Sequence, residues 1–168
     1  MKKLIISAGI CFSALFIVSS AFAQASATAD ASATIVTPIS ISKTADMNFG
    51  NVATNGAVGT VILAPAGTRT FSGGVTLPAT TGTVTAASFT VSGSGSYTYA
   101  ITLPTSVTIT SGTDNMTVNT FTSTPSTTGA LTAGSQVIKV GATLNLVASQ
   151  AEGAYTSATP FTVTVNYN

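Results

Sequence analysis

Beyond residue 34, apolar and polar side chains alternate with a period of two, the repeat of a strand with one buried and one wet face. Phe161, Val163, Val165 and Tyr167 show it most cleanly, alternating with Thr162, Thr164 and Asn166. Tyr97, Tyr99, Ile101 and Leu103 form a second stripe, and residues 84–91 carry Phe89 and Val91 on one face. Ser92-Gly93-Ser94-Gly95 lies between these two runs as a turn signal, so residues 84–91 and 97–103 are expected to pair as a hairpin. Further strands are predicted over 35–41, with Pro38 at a bulge or edge, and over 60–63, closed by Pro65. Residues 69–77 read as a short pair around Gly73-Gly74. Residues 107–109 and 116–121 flank a turn at 112–115, and 137–147 form a long strand bulged or kinked at Gly141.

No stretch carries apolar residues at the 3.6-residue helical period, and Glu, Lys, Arg and Gln, which favour helices, are scarce. The pattern therefore predicts an all-β fold, an immunoglobulin-like β-sandwich of about seven to nine short strands, with a jelly roll or small barrel as the alternative. Val36, Phe49, Ile62, Val84, Phe89, Tyr99, Ile101, Val107, Ile109, Val118, Phe121, Val140, Leu144, Leu146, Val163 and Val165 are the expected core.

The first 34 residues follow different rules. Met1-Lys2-Lys3 is a short basic start, residues 4–20 are apolar and nearly uncharged, and Ala21-Phe22-Ala23 places small residues where a signal peptidase reads them. Residues 1–23 are thus expected to be a cleaved secretory signal, the apolar run falling just short of the roughly 20 residues a membrane span needs. Cys11 lies within that run, preceded by Ile10 rather than the small residue a lipoprotein cysteine requires. Residues 24–34 form a low-complexity extension in which Ala25, Ala27, Ala29, Ala31 and Ala33 alternate with Ser, Thr and Asp. Its methyl groups bury too little area to fold alone, at about 25 cal/mol per Å². It is either a flexible tail or a strand awaiting another subunit's groove. Residues 35–168 make one domain.

Charge narrows the functional classes. Beyond residue 23 only Asp30, Lys43, Asp46, Arg69, Asp114, Lys139 and Glu152 carry formal charge, a net of −1. No basic patch can neutralise phosphates, so nucleic acid is not an expected partner. The same stretch holds 32 threonines, whose β-branched, half-polar side chains suit the wet face of a pleated sheet. Low charge also eases self-association. Catalysis has little material: there is no histidine, the two lysines lie in no Ser-x-x-Lys pattern, and the four carboxylates stand singly, Asp114-Asn115 reading as an Asx-type turn. With no cysteine beyond residue 23 there is no disulfide or thiol chemistry, and no clustered ligands suggest zinc or calcium. Asn115-Met116-Thr117 fits the glycosylation sequon only formally. Tyr97 and Tyr99, on one strand face with Ile101, read as core rather than as a sugar-stacking platform. No catalytic residue, cofactor or metal is expected.

Residues 39–50, Ile-Ser-Ile-Ser-Lys-Thr-Ala-Asp-Met-Asn-Phe-Gly, resemble the opening of an exported bacterial family, domain-of-unknown-function family 4402. Residues 82–91 with 97–103, and Gly153-Ala154-Tyr155 leading to residues 161–167, are similar to it as well. That family is similar in turn to spore-coat-U-type and fimbrial subunits. The resemblance implies an immunoglobulin-like structural subunit of a Gram-negative cell surface, passing through the periplasm. Its implied partners are copies of itself or related subunits, a periplasmic chaperone and an outer-membrane usher. In such pilins the alternating C-terminal strand carries a tyrosine next to last, which Tyr167 matches, and is paired with a neighbour's N-terminal extension. This implies strand-exchange roles for Phe161, Val163, Val165 and Tyr167, and for the alanines of 24–34, through β-augmentation. The chain differs from many pilins in lacking a disulfide and in offering alanines where their donor segments are bulky. A monomeric secreted glycan- or matrix-binding module is the alternative function.

Overall fold

A computed structural model describes residues 23–168, so the expected signal segment lies almost wholly outside the described residues. The chain divides at Thr34 into two compact units. Within the first, residues 23–34 form no strand and every side chain is exposed.

The second unit, Ile35–Asn168, is all β. Its strands are β1 (Ser40–Ala45), β2 (Asn48–Phe49), β3 (Ala53–Leu63), β4 (Arg69–Thr76), β5 (Val84–Thr85), β6 (Ala87–Ser92), β7 (Thr98–Thr102), β8 (Ser106–Ser111), β9 (Asp114–Thr124), β10 (Thr128–Ala130), β11 (Ser135–Leu146) and β12 (Thr164–Tyr167). Twelve strands among the described residues exceed the seven to nine expected, because β2, β5 and β10 are too short to leave a periodic signal.

β11 organises the large, seven-stranded sheet. On one side its first half pairs with β6, from Ser135↔Ser92 to Val140↔Ala87, and its second half with β3, from Ala142↔Leu63 to Leu146↔Gly59. β9 pairs along its other side, β1 lies beyond β6, β4 beyond β3 and β8 beyond β9. The handover from β6 to β3 falls at Gly141. A Cβ there would collide with the backbone of Leu63 and Ala64, so only glycine lets β3 end against β11. The expected irregularity is present opposite this glycine, but the extra residue belongs to β9. Gly141 faces Thr122 while Thr143 faces Asn119, and Thr120 takes up the mismatch at φ 50°.

The core has two parts. In the first, Ala87, Phe89, Val91, Ile138 and Val140 of the large sheet face Tyr99, Ile101 and Val165 of a three-stranded sheet ordered β10-β7-β12, with Leu131 and Val163 between, as in a sandwich. In the second, Val61, Val75, Met116, Val118, Ala142, Leu144 and Leu146 all come from the large sheet, which curls until its own strands share a core. The outer face of that curl carries polar pairs. Thr60 Oγ1 lies 2.8 Å from Ser72 Oγ, and Asn145 donates to Thr117 O and Asn119 Oδ1.

Several expectations are corrected. The first strand begins at Ser40, and Ile35 is 97% exposed. Residues 69–76 form one strand against β3, not a pair, because the partner of β4 is the longer strand before it. Residues 84–91 and 97–103 do not form a hairpin. β6 pairs with β1 and β11, whereas β7 pairs with β10 and β12. The turn after Ser92 carries the chain across the sandwich, so the two apolar faces meet through the core instead of lying side by side. Ile62 is 47% exposed, and Val61 and Leu63 are buried in its place. Val-Ile-Leu is apolar at both parities, and the pairing of Leu144 with Val61 decides which one faces inward. Val36, Phe49, Val84, Val107, Ile109 and Phe121 are half-buried, and of these Phe49, Val107, Ile109 and Phe121 pack against the core. The β8–β9 hairpin forms as expected, but Gly112 and Thr113 make its turn; Asp114 already pairs with Ser111.

Candidate assembly interface

The alternating C-terminal run enters the fold as β12, antiparallel to β7 from Thr164↔Thr102 to Tyr167↔Tyr99. Val163 and Val165 are buried in the sandwich core. Just before the strand, Phe161 packs its ring 5.0 Å from Phe121 and 6.4 Å from Phe89. Tyr167 is half-buried against Tyr97, with ring centroids 5.6 Å apart. Its hydroxyl accepts from Ser94 N at 2.6 Å and donates to Thr37 O at 3.0 Å, so it ties β12 to both the β6–β7 crossover and the segment before β1. The structure thus gathers Phe161, Val163, Val165 and Tyr167 around one cluster. Ala25, Ala27, Ala29, Ala31 and Ala33 are exposed along the extension.

Two aromatic neighbours divide the expectation for Tyr97 and Tyr99. Tyr99 is fully buried, and its hydroxyl donates to Gln136 Oε1 at 2.6 Å, which also accepts from Ala130 N at 2.9 Å. Desolvation by burial raises the Tyr99 phenol above its usual pKa. Gly129 crosses the Tyr99 ring where any Cβ would clash with it. Tyr97, two residues earlier and just before β7, is 48% exposed.

Unpaired backbone lies at the sheet edges. β12 has β7 on one side only, and β8 has β9 on one side only. On the free side of β8, Thr110 exchanges both backbone hydrogen bonds with Thr156, at 2.8 and 3.0 Å. Alternate residues of a strand point their N–H and C=O groups to the same side. Thr108 and Ser106 therefore aim theirs outward beside Thr110. The chain after Thr156 does not continue the pairing, and Pro160 has no N–H to offer. A cleft of about 530 Å³ opens there, lined by Ser106, Val107 and Thr108 on one wall and by Ala158, Pro160 and Phe161 on the other. Sequence reasoning missed this edge. Pro104 and Pro160, each beside a strand-like run, were the available signal.

The ionisable groups stay dispersed. Lys43 Nζ lies 2.6 Å from Asp46 Oδ1, but both side chains are largely exposed and belong to one short stretch. Such a pair contributes little to stability. Lys139 lines a shallower cleft of about 330 Å³ with Ala45, Pro65 and Ser88. No three His, Cys, Asp or Glu side chains come together among the described residues. Among the described residues there is no helix long and apolar enough to cross a membrane.

Fold and edges together define an all-β domain with a curled sheet, a small facing sheet and open strand edges. Residues 39–167 match the family described as Domain of unknown function (DUF4402), and the chain belongs to that family. No curated protein and no solved structure matches the chain.

Proposed function

We propose that the chain is a non-catalytic, exported structural subunit of a surface fibre or coat, joined to copies of itself or to related subunits by β-strand addition. The observation that carries this reading is the extension at 24–34. It alternates small apolar and polar residues with strand period, yet every one of its side chains is exposed and its backbone belongs to no sheet. An unpaired, alternating segment and a domain with open edges are the two halves of a β-augmentation contact. A periplasmic chaperone and an outer-membrane usher fit the same reading, since free edges need cover in transit, and residues 1–23 would direct export. The scarcity of charge supports close packing of many copies.

Deletion of 24–34 tests it. The shortened chain should still be exported and folded, with its filaments lost in electron microscopy and its sedimentation that of a monomer. Filaments indistinguishable from those of the full chain would rule the proposal out. The half-exposed rings of Tyr97 and Phe71 favour a second reading, a monomeric glycan- or matrix-binding module. That module would sediment as a monomer with or without the extension.

A further inference from the structure

We infer that the free edge of β8 is the acceptor for the extension of a second copy, which inserts between Ser106–Thr108 and residues 158–162. The inference rests on the strand-addition reading above and specifies its receiving surface. Three observations converge on this edge.

The first is the interrupted pairing. Thr110 is satisfied by Thr156, while the outward N–H and C=O groups of Thr108 and Ser106 face the cleft. An added strand would continue the ladder that Thr156 begins and Pro160 cannot extend. The second is size. The interior side of the cleft is already occupied by Phe161, held against Phe121 and Phe89. Inward side chains of an added strand would lie over Val107 and Phe161. Ala25, Ala27, Ala29, Ala31 and Ala33 present methyl groups at alternate positions, all on one face of a strand. Such methyl groups would cover the cleft floor without displacing Phe161 from Phe121 and Phe89. The third is charge and length. In that register Asp30 points away from the cleft with Ser26, Thr28 and Ser32, and no charged side chain lines the cleft. Eleven extended residues span about 36 Å and the free stretch Ser106–Thr108 about 10 Å, at roughly 3.3 Å each. The extension can cover the edge and still leave residues to connect two domains.

Disulfide trapping between copies locates the acceptor. Full-length chains carrying Cys11→Ser and Ala29→Cys are mixed with chains carrying Cys11→Ser and one of Thr108→Cys, Ser42→Cys or Thr70→Cys, on β8, β1 and β4 respectively. Filament formation by the unmodified chain is followed in parallel. Expected are filaments, and a cross-linked heterodimer with Thr108→Cys at least about ten-fold above the other two, as the high effective concentration of a docked segment requires. Thr108→Pro, which removes an outward N–H from an edge strand that tolerates proline, should abolish filaments while leaving circular dichroism unchanged. Filaments with cross-links at Ser42 or Thr70 positions, or none at 108, would overturn the β8 assignment and leave strand addition standing. Absence of filaments from the unmodified chain would remove the underlying reading and this inference with it.

Discussion

The rings of Phe121 and Phe161 lie 5.0 Å apart, tilted by 49°, at the boundary between the two halves of the core. Phe121 packs against both buried clusters, whereas Phe161 touches the sandwich side only. Phe121 sits beside the Thr120 bulge, so the irregularity that bends β9 also aims this ring into the joint. Phe121→Ala should therefore loosen both halves at once. It is expected to lower unfolding free energy by about 3 kcal/mol, the scale of an aromatic truncation in a packed interior. Urea unfolding should still show one transition at a lower midpoint. Two separated transitions would mean that the halves of the core are held together by something other than this ring.

Gln136 accepts from two donors, the hydroxyl of the buried Tyr99 and the amide of the exposed Ala130. Gln136→Leu keeps the side-chain bulk and removes the acceptor, at an expected cost of about 1–3 kcal/mol. Adding Tyr99→Phe on that background should recover part of the loss, since the orphaned hydroxyl disappears. A double-mutant cycle gives the coupling, and strict additivity would show that the 2.6 Å contact contributes nothing.

Much of the fold is legible in the sequence, and the places where it is not share a physical cause. Period-two alternation correctly marked β9, β11 and β12, because each has one face on the core and one in solvent. Alternation identifies a strand's faces and says nothing of its lateral partner. Hence the pattern shows that Phe89 and Tyr99 face inward but does not show that the strands carrying them oppose each other across the core rather than lie side by side. At Val61-Ile62-Leu63 alternation vanishes, and only pairing with Leu144 fixes the parity. The β8 acceptor edge was invisible for a different reason. It is defined by what fails to pair with Ser106 and Thr108, a property of the folded chain rather than of any residue in it.

Alkaline pH should destabilise the domain through Tyr99. Burial raises its phenol above the ordinary value of 10.0, so the unfolded chain gives up this proton first as pH rises. From that ordinary value up to the raised one, the folded state binds more protons than the unfolded state, and stability falls with increasing pH. Below that window the contribution is fully present. Tyr99→Phe should flatten the decline in unfolding free energy above pH 10, seen as a smaller drop in denaturation midpoint between neutral and alkaline buffer. An unchanged slope would mean that Tyr99 titrates alike in both states.

The extension allows a test of parity that does not depend on knowing the acceptor. If residues 24–34 act as an added strand, adjacent positions face opposite sides, one against a neighbour and the other toward solvent. Ala29→Leu enlarges the side that carries the alanines, and Thr28→Leu adds the same side chain one position away on the side that carries Asp30. The two substitutions bring similar apolar bulk into the segment. A flexible tail acting through general stickiness would respond to both in the same direction. A strand seated in a narrow cleft would reject leucine at position 29 and accept it at position 28. The expected result is filament loss, or assembly slowed by about ten-fold or more, for Ala29→Leu alone, a penalty of roughly 1.4 kcal/mol at the contact. Turbidity and negative-stain microscopy would measure it. Equal effects at the two positions would refute strand geometry for the extension, whichever edge receives it.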